Sequence, residues 1–422
     1  MTGRAASEQL GGAQTKRIFA VTLGILTAIG GFVDIGDLVA NALIGARFGM
    51  GLAWVVLLGV IGICLFADMA GRVAAIAGRP TFDLIRERLG PRLALLNLLA
   101  SVLVTVLTMA AEVAGVALAI ELASGVSYLL WMPLVAFAVW LVIWRVTFAR
   151  METAFGLAGL ALIGFAVAVW RLHPDWGALV HQAAAPSLGG ESMATYWFFA
   201  IALFSATMTP YEVFFFSSGG IEERWTTKDL AVERANVFVG FPLGGLLSWA
   251  VMAAAAVVFF PAGVQVETLG QVVLPGVVAL GKIGLAVLLV GVFAATFGAA
   301  LETALSCGYS VAQYFGWQWG KLVRPRQAAR FHTVVLLVLV IGTLAMLTGV
   351  DPIKTTEYSL IFSAVALPLT YLPILVIAND GDYMGEHVNG RVRNFLGMVY
   401  LAIIVVFAVA AIPLMIVTGA GQ

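Results

Sequence analysis

The sequence predicts an all-α polytopic membrane protein, built from two five-helix repeats of opposite orientation and an eleventh transmembrane helix. Three observations predict it. The 422-residue chain is 61% hydrophobic and 11% charged, with a mean hydropathy of +1.01, whereas a soluble domain carries roughly 25% charged residues. It contains eleven apolar stretches, each of about 17 residues or more, the length a bilayer crossing requires. The first and sixth of these are interrupted by glycine, proline and polar residues, and paired interruptions in corresponding halves are the mark of a repeat that binds its substrate at the membrane midplane.

Taken in order, residues 1–17 are an N-terminal segment, and the first stretch runs from Ile18 to Ile44. Its centre, residues 30–37, reads Gly30-Gly31-Phe32-Val33-Asp34-Ile35-Gly36-Asp37. Carboxylates are costly in lipid and mark functional sites; unwound backbone at that depth persists only where protein encloses it or it lines a cavity. The second stretch starts near Gly51 and carries Asp68 and Arg72 at the i,i+4 spacing of an intrahelical ion pair. The third starts near Leu93 and carries Glu112; the fourth and fifth start near Tyr128 and Thr153, closing the first repeat at residue 171. Residues 172–195 are an external loop too short for a domain. The second repeat, residues 196–378, opens near Tyr196 with a stretch interrupted at Ser205-Ala206-Thr207-Met208-Thr209-Pro210. Its later stretches start near Val237, near Leu285 (or Val277, which puts Lys282 at the outer end), near Thr333 and near Ser359. Residues 379–422 hold a loop and a peripheral eleventh helix from Leu396. Five spans per repeat is an odd number, so the second repeat is inverted.

Basic residues orient the chain. With the N-terminus in the cytoplasm, 19 of the 23 Lys and Arg residues fall on inner segments, and only Arg47, Arg171, Lys282 and Lys354 fall outside. The C-terminus is then external. Compact loops suggest a bacterial inner membrane. Cys64 and Cys307 both fall within apolar stretches, which speaks against a disulfide framework.

A broken helix exposes carbonyls at the end of its first half and amides at the start of its second. Asp34 and the Gly31 carbonyl therefore converge on one cation, and Asp37 lies on the same face if the second half-helix begins at once. The competing role for both acids is capping that half-helix, since acids favour helix N-termini. Glu212, three residues beyond Thr209, is a further carboxylate for the site.

Several motifs resemble those of the Nramp divalent-metal transporters, whose fold is of the LeuT type. Asp34-Ile35-Gly36-Asp37 stands where that family has Asp-Pro-Gly-Asn, and Ile44-Gly45-Ala46-Arg47-Phe48-Gly49 follows as its Ala-Gly-Ala-x-Phe-Gly. Ala111-Glu112-Val113-Ala114-Gly115 matches Ala-Glu-Val-x-Gly, Leu367 to Pro373 matches Leu-Pro-x-x-x-x-Pro, and Met384-Gly385 with Asn389 matches Met-Gly-x-x-x-Asn. The resemblance implies that the Ala206 carbonyl and the Thr209 side chain stand where the family places a carbonyl and a Met sulfur. It also implies that Tyr211 occupies a histidine position. The departures are Thr209-Pro210-Tyr211 for Met-Pro-His, Asp37 for Asn, Ile35 for Pro, Met109 for Asp and Leu360 for Gln. In lacking the sixth-helix Met and His, the chain is similar to the Nramp-related magnesium transporters.

Carboxylate, carbonyl and hydroxyl donors suit magnesium, calcium and manganese, whereas thioether sulfur favours softer metals. Met208 is one residue off the family's sulfur position, a rotation of about 100°. The small residues Gly30, Gly31 and Gly36 leave room for the water that magnesium retains. The expected substrate is thus a hard divalent cation, magnesium first and manganese second. None of the four histidines, His173, His181, His332 and His387, lies on the sixth helix, and His is the ordinary proton carrier near neutral pH. Weak or absent proton coupling follows. The alternative is a proton-coupled manganese or iron importer that uses Glu112, Glu212 or Asp68; Glu302 on the eighth helix is either a pathway residue or a packing contact. An ion-coupled amino-acid transporter or a channel is more remote. No enzyme motif is present. The sequence calls for no cofactor, nucleic acid or obligate protein partner, only a divalent metal substrate and the bilayer.

Overall fold

The computed structural model describes residues 32–321 and 323–421. The expected N-terminal segment 1–17, the first half of the first stretch, and Gly30 and Gly31 lie outside the described residues. Within them the long regular elements are all helices: α1 (Ile35–Phe48), α2 (Ala53–Ala77), α3 (Thr81–Leu89), α4 (Pro91–Ser124), α5 (Tyr128–Arg145), α6 (Phe148–Gly159), α7 (Ile163–Arg171) and α8 (Trp176–Ala184). The second half continues with α9 (Met193–Thr207), α10 (Pro210–Glu222), α11 (Leu230–Ala235), α12 (Phe241–Val258), α13 (Leu269–Phe315), α14 (Ala329–Leu347), α15 (Pro352–Ile377), α16 (Gly381–Met384) and α17 (Arg391–Val417). Among the described residues, ten helical segments are long and apolar enough to cross a membrane.

Among the described residues, both helix restarts fall where the sequence puts them. Helix α1 begins at Ile35 with Asp34 as its N-cap. The sixth segment unwinds at Met208 and Thr209 and restarts at Pro210, whose ring is pre-set for a first helical turn. Helix α13 also bends sharply at Gly281 (φ 63°, ψ −144°), a backbone conformation that glycine adopts without penalty. The eighth span therefore starts beyond Gly281, with Lys282 at its end. The loop 172–195 is partly helical: α8 is capped by Asp175, whose carboxylate accepts the Ala178 amide, and buries none of its residues.

Two packed cores hold the fold. One gathers α1, α2, α9, α10, α12, α15 and α17 around Ile44, Phe66, Phe204 and Ile361. The other joins α4, α5, α13 and α14 around Val113, Val139, Leu305 and Phe331. Helix α1 lies so close to α12 that a Cβ on Gly45 would stand 2.2 Å from the Met252 carbonyl oxygen. Gly45→Ala is expected to cost about 1–3 kcal/mol through overpacking. It should lower the thermal midpoint of the purified protein in detergent; an unchanged midpoint would show that the two helices can separate freely.

Asp68 does not reach the interruptions. Arg72 lies 3.0 Å from it within α2, and Arg234 and Arg393 approach to 3.6 Å from two other elements. Arg72 also bonds to Asn389 and to the His387 carbonyl. The ion-pair reading of Asp68 is the one the structure realises, enlarged to a cluster that ties α2 to the segment before α12 and to α17.

Candidate metal site

Asp34 sits at the start of α1 with both carboxylate oxygens engaged. Its Oδ1 accepts the Asp37 amide at 2.8 Å, and its Oδ2 accepts the Tyr211 hydroxyl at 3.1 Å. Glu112 reaches over from α4, where its Oε1 accepts the Ile35 amide at 3.1 Å, and its buried Oε2 has no hydrogen-bond partner. Two carboxylates thus gather at the amide end of the half-helix, whose partial positive charge offsets their burial. Capping and proximity to the second break are not alternatives for Asp34: the structure combines them.

Asp34 faces a cavity of about 10 Å³ lined also by Thr209, Thr108, Ser359, Leu360 and Ser363, close to the least volume that holds one water. Thr209 is the N-cap of α10, yet its side chain makes no capping bond. Pro210 lacks the N–H that an unbroken helix would offer the Ala206 carbonyl. Met208 turns the other way, so that a Cβ on Gly62 would meet its sulfur at 2.6 Å. Thr209 thus lines the Asp34 cavity while the sulfur of Met208 packs toward Gly62, so the two residues face different sides of the break, as the one-residue offset requires.

The other acids divide. Asp37 does not share the cavity: its carboxylate accepts Ser248 Oγ of α12 at 2.5 Å and Asn41 Nδ2 at 2.9 Å. Because Asp34 folds over the Asp37 amide, the Asp37 side chain radiates from the first turn toward α12, which corrects the expectation of a common face. Glu212 is buried on α10, hydrogen-bonded to Glu302 of α13, and its Oε2 has no hydrogen-bond partner. Neither lines the Asp34 cavity. Tyr211 bonds directly to Asp34, a contact no sequence pattern announces. Among the described residues, no three His, Cys, Asp or Glu side chains come together as a metal-holding group, so any ion here draws on hydroxyls and carbonyls beside Asp34.

A larger cavity of about 590 Å³ opens at the end of the molecule carrying Arg47, Glu191, Asp351 and Glu357. On α15 less than one turn separates Glu357, which lines it, from Leu360, which lines the Asp34 cavity. On the opposite side, Tyr211, Ser306 and Thr105 enclose a space of about 10 Å³. There the end of α10 is tied down by Glu222, which accepts the Tyr309 hydroxyl at 3.1 Å and the Lys321 amide at 2.5 Å.

A family model described as Nramp, natural resistance-associated macrophage protein-like, matches residues 24–413. The chain belongs to the Nramp family. Its relatives include the divalent metal cation transporter MntH of Deinococcus radiodurans, 26% identical over 390 residues, which cover 89% of this chain and 85% of that protein. MntH 1 of Pseudomonas aeruginosa is 28% identical over 387 residues, covering 87% of this chain and 85% of its own. Among solved structures, a manganese transporter from Eremococcus coleocola superposes with a TM-score of 0.69 at 18% identity, covering 94% of this chain and 86% of that one. A Na⁺-coupled sialic acid symporter reaches 0.63 at 12% identity, covering 92% of this chain and 88% of its own. The fold of this Nramp protein is thus the LeuT-type arrangement that its two broken helices imply. The sequence reading did not single out Ser248, Thr108, Thr356, Ser359 or Ser363 as site neighbours. Thr356, Ser359 and Ser363 recur at helical spacing on an apolar helix, the one signal that marked them.

Proposed function

We propose that this Nramp protein is a secondary transporter of a hard divalent cation, manganese first, bound between Asp34 and Thr209 and carried by alternating access. One observation carries the reading: the two helix breaks bring a carboxylate and a hydroxyl to one cavity while the nearby sulfur faces away. Such oxygen donors suit manganese and magnesium alike. The relatives named above for manganese and divalent metals favour manganese. Magnesium is the second reading, supported by the threonine at the family's sulfur position.

A cation is favoured over an anionic organic substrate for a local reason. In carriers of carboxylate substrates, half-helix amides meet the substrate, but here Asp34 and Glu112 already take the Asp37 and Ile35 amides. With the orientation read from the basic residues, the 590 Å³ cavity is an outer vestibule, and the Glu222 bonds close the inner side. An ion enters along α15, displaces the Tyr211 hydroxyl from Asp34, and leaves when α10 parts from α13. Weak proton coupling remains our reading because no imidazole lines the cavity. In the coupled alternative, Glu112 or Glu212 takes the proton.

Uptake of manganese and of magnesium into proteoliposomes holding an internal pH dye tests this. Manganese flux without acidification is the expected result. Flux accompanied by protons would replace the uncoupled reading with the coupled one, and magnesium flux with no competition from manganese would reverse the order of substrates. Absence of flux for either ion would refute a hard-cation carrier.

A further inference from the structure

Besides Asp34 and Thr209, the cavity is lined by four hydroxyl side chains. Thr356, Ser359 and Ser363 lie on one face of α15, and Thr108 joins them from α4. Two of these hydroxyls are satisfied by each other, Thr108 and Ser359 at 2.9 Å, and Thr356 donates to the Pro352 carbonyl at 2.8 Å. Ser363 is different. It is 2% exposed, lines the cavity, and its Oγ has no hydrogen-bond partner. A buried hydroxyl left without a partner is unfavourable by an amount comparable to a lost hydrogen bond, and native structures rarely leave one unexplained. A serine in an apolar helix, aimed into a cavity beside a buried carboxylate, is accounted for if its partner is the transported ion or a water bound to it.

We propose that Ser363, backed by the hydroxyls of Ser359, Thr356 and Thr108, forms the neutral-oxygen side of the ion's coordination shell and helps to select a hard divalent cation. The proposal rests on the reading of Asp34 as the ion site and adds the residues that complete it. Asp34 supplies the charge, Thr209 and the Ala206 carbonyl supply oxygens from the sixth helix, and α15 supplies the opposite face. Leu360, between Ser359 and Ser363 in sequence, closes the same cavity with an apolar side chain, so the hydroxyls are its only polar contribution from α15. A hard cation is served equally by a hydroxyl or by a water held there; a soft cation gains less from either than from sulfur.

The test compares wild type, Asp34→Ala, Ser363→Ala and Ser363→Cys in proteoliposomes, reading manganese and cadmium uptake. Ser363→Ala is expected to raise the KM for manganese by about threefold to tenfold, the value of one neutral hydrogen bond, with Vmax little changed. Ser363→Cys keeps the size but exchanges oxygen for sulfur, and should move the manganese-to-cadmium preference toward cadmium by a similar factor. A packing role for Ser363 would not produce that exchange of preference. If wild type carries manganese and Asp34→Ala does not, while both Ser363 variants keep the wild-type KM and ion preference, the hydroxyl face is not part of the shell. If Asp34→Ala transports as wild type, the ion site itself is misplaced and the proposal falls with it.

Discussion

Proteoliposomes bearing Asp34→Asn will take up manganese at least about a hundredfold more slowly than wild type, the size of effect expected when a buried charge loses its counterpart. Asparagine is the informative replacement. Its Oδ1 can still accept the Asp37 amide, which in the wild type binds Asp34 at 2.8 Å, so α1 keeps its cap and the protein its fold. What is lost is the negative charge at the junction of the two broken helices. Tyr211, now 3.1 Å from Asp34 Oδ2, retains a polar neighbour as well. The check is initial-rate uptake beside a thermal melt in detergent. A variant that melts as wild type and still transports at more than a tenth of its rate would remove Asp34 from the ion's path.

The second large effect is a change of preference. Thr209→Met places a thioether beside Asp34, at the N-cap of α10, where the threonine side chain makes no capping bond that the change would break. Soft cations should gain and magnesium should lose. We expect the ratio of manganese to cadmium uptake to fall by about tenfold, equivalent to about 1.4 kcal/mol, and magnesium uptake, where present in wild type, to disappear. The measurement is competition: cadmium titrated against a fixed manganese concentration in both proteins. An unchanged inhibition curve would mean that residue 209 does not face the ion. Met208 would then need to be reconsidered as a donor, although its sulfur packs against Gly62 in this conformation.

Much of the scaffold was legible in the residues because lipid leaves few options. An apolar stretch of span length in a bilayer becomes a helix, since every backbone polar group must be satisfied internally. An acid flanked by glycines within such a stretch marks an enclosed break. For that reason the breaks at Asp34 and before Pro210 are legible from pattern alone, and the resemblance to the Nramp motifs adds Ala206 and Thr209 as expected donors and the absence of a sulfur at Thr209. Asp68 with Arg72 was readable as an i,i+4 pair, but Arg234 and Arg393, remote in sequence, were not. The small helix α3, which binds the sixth segment through Thr81 and Ser217, was too short and too polar to stand out as an element.

What the sequence by itself determined is the set of local facts: which segments are helices, where two of them break, and that oxygen donors outnumber sulfur at the breaks. These follow from composition and from backbone chemistry within a few residues. Only the tertiary structure decided which way each side chain faces. Asp37 is three residues from Asp34 and was expected to join it, yet the close approach of α12 at Gly45 gives it Ser248 instead. Glu112 was placed on the third span but not at the amide of Ile35. Ser363 was one serine among many until packing left it buried, unpartnered and lining the cavity that Asp34 also lines. Orientation about a helix axis is set by what packs against it, through contacts between residues far apart in the chain. A local pattern restricts that choice to a face; it does not select the neighbour.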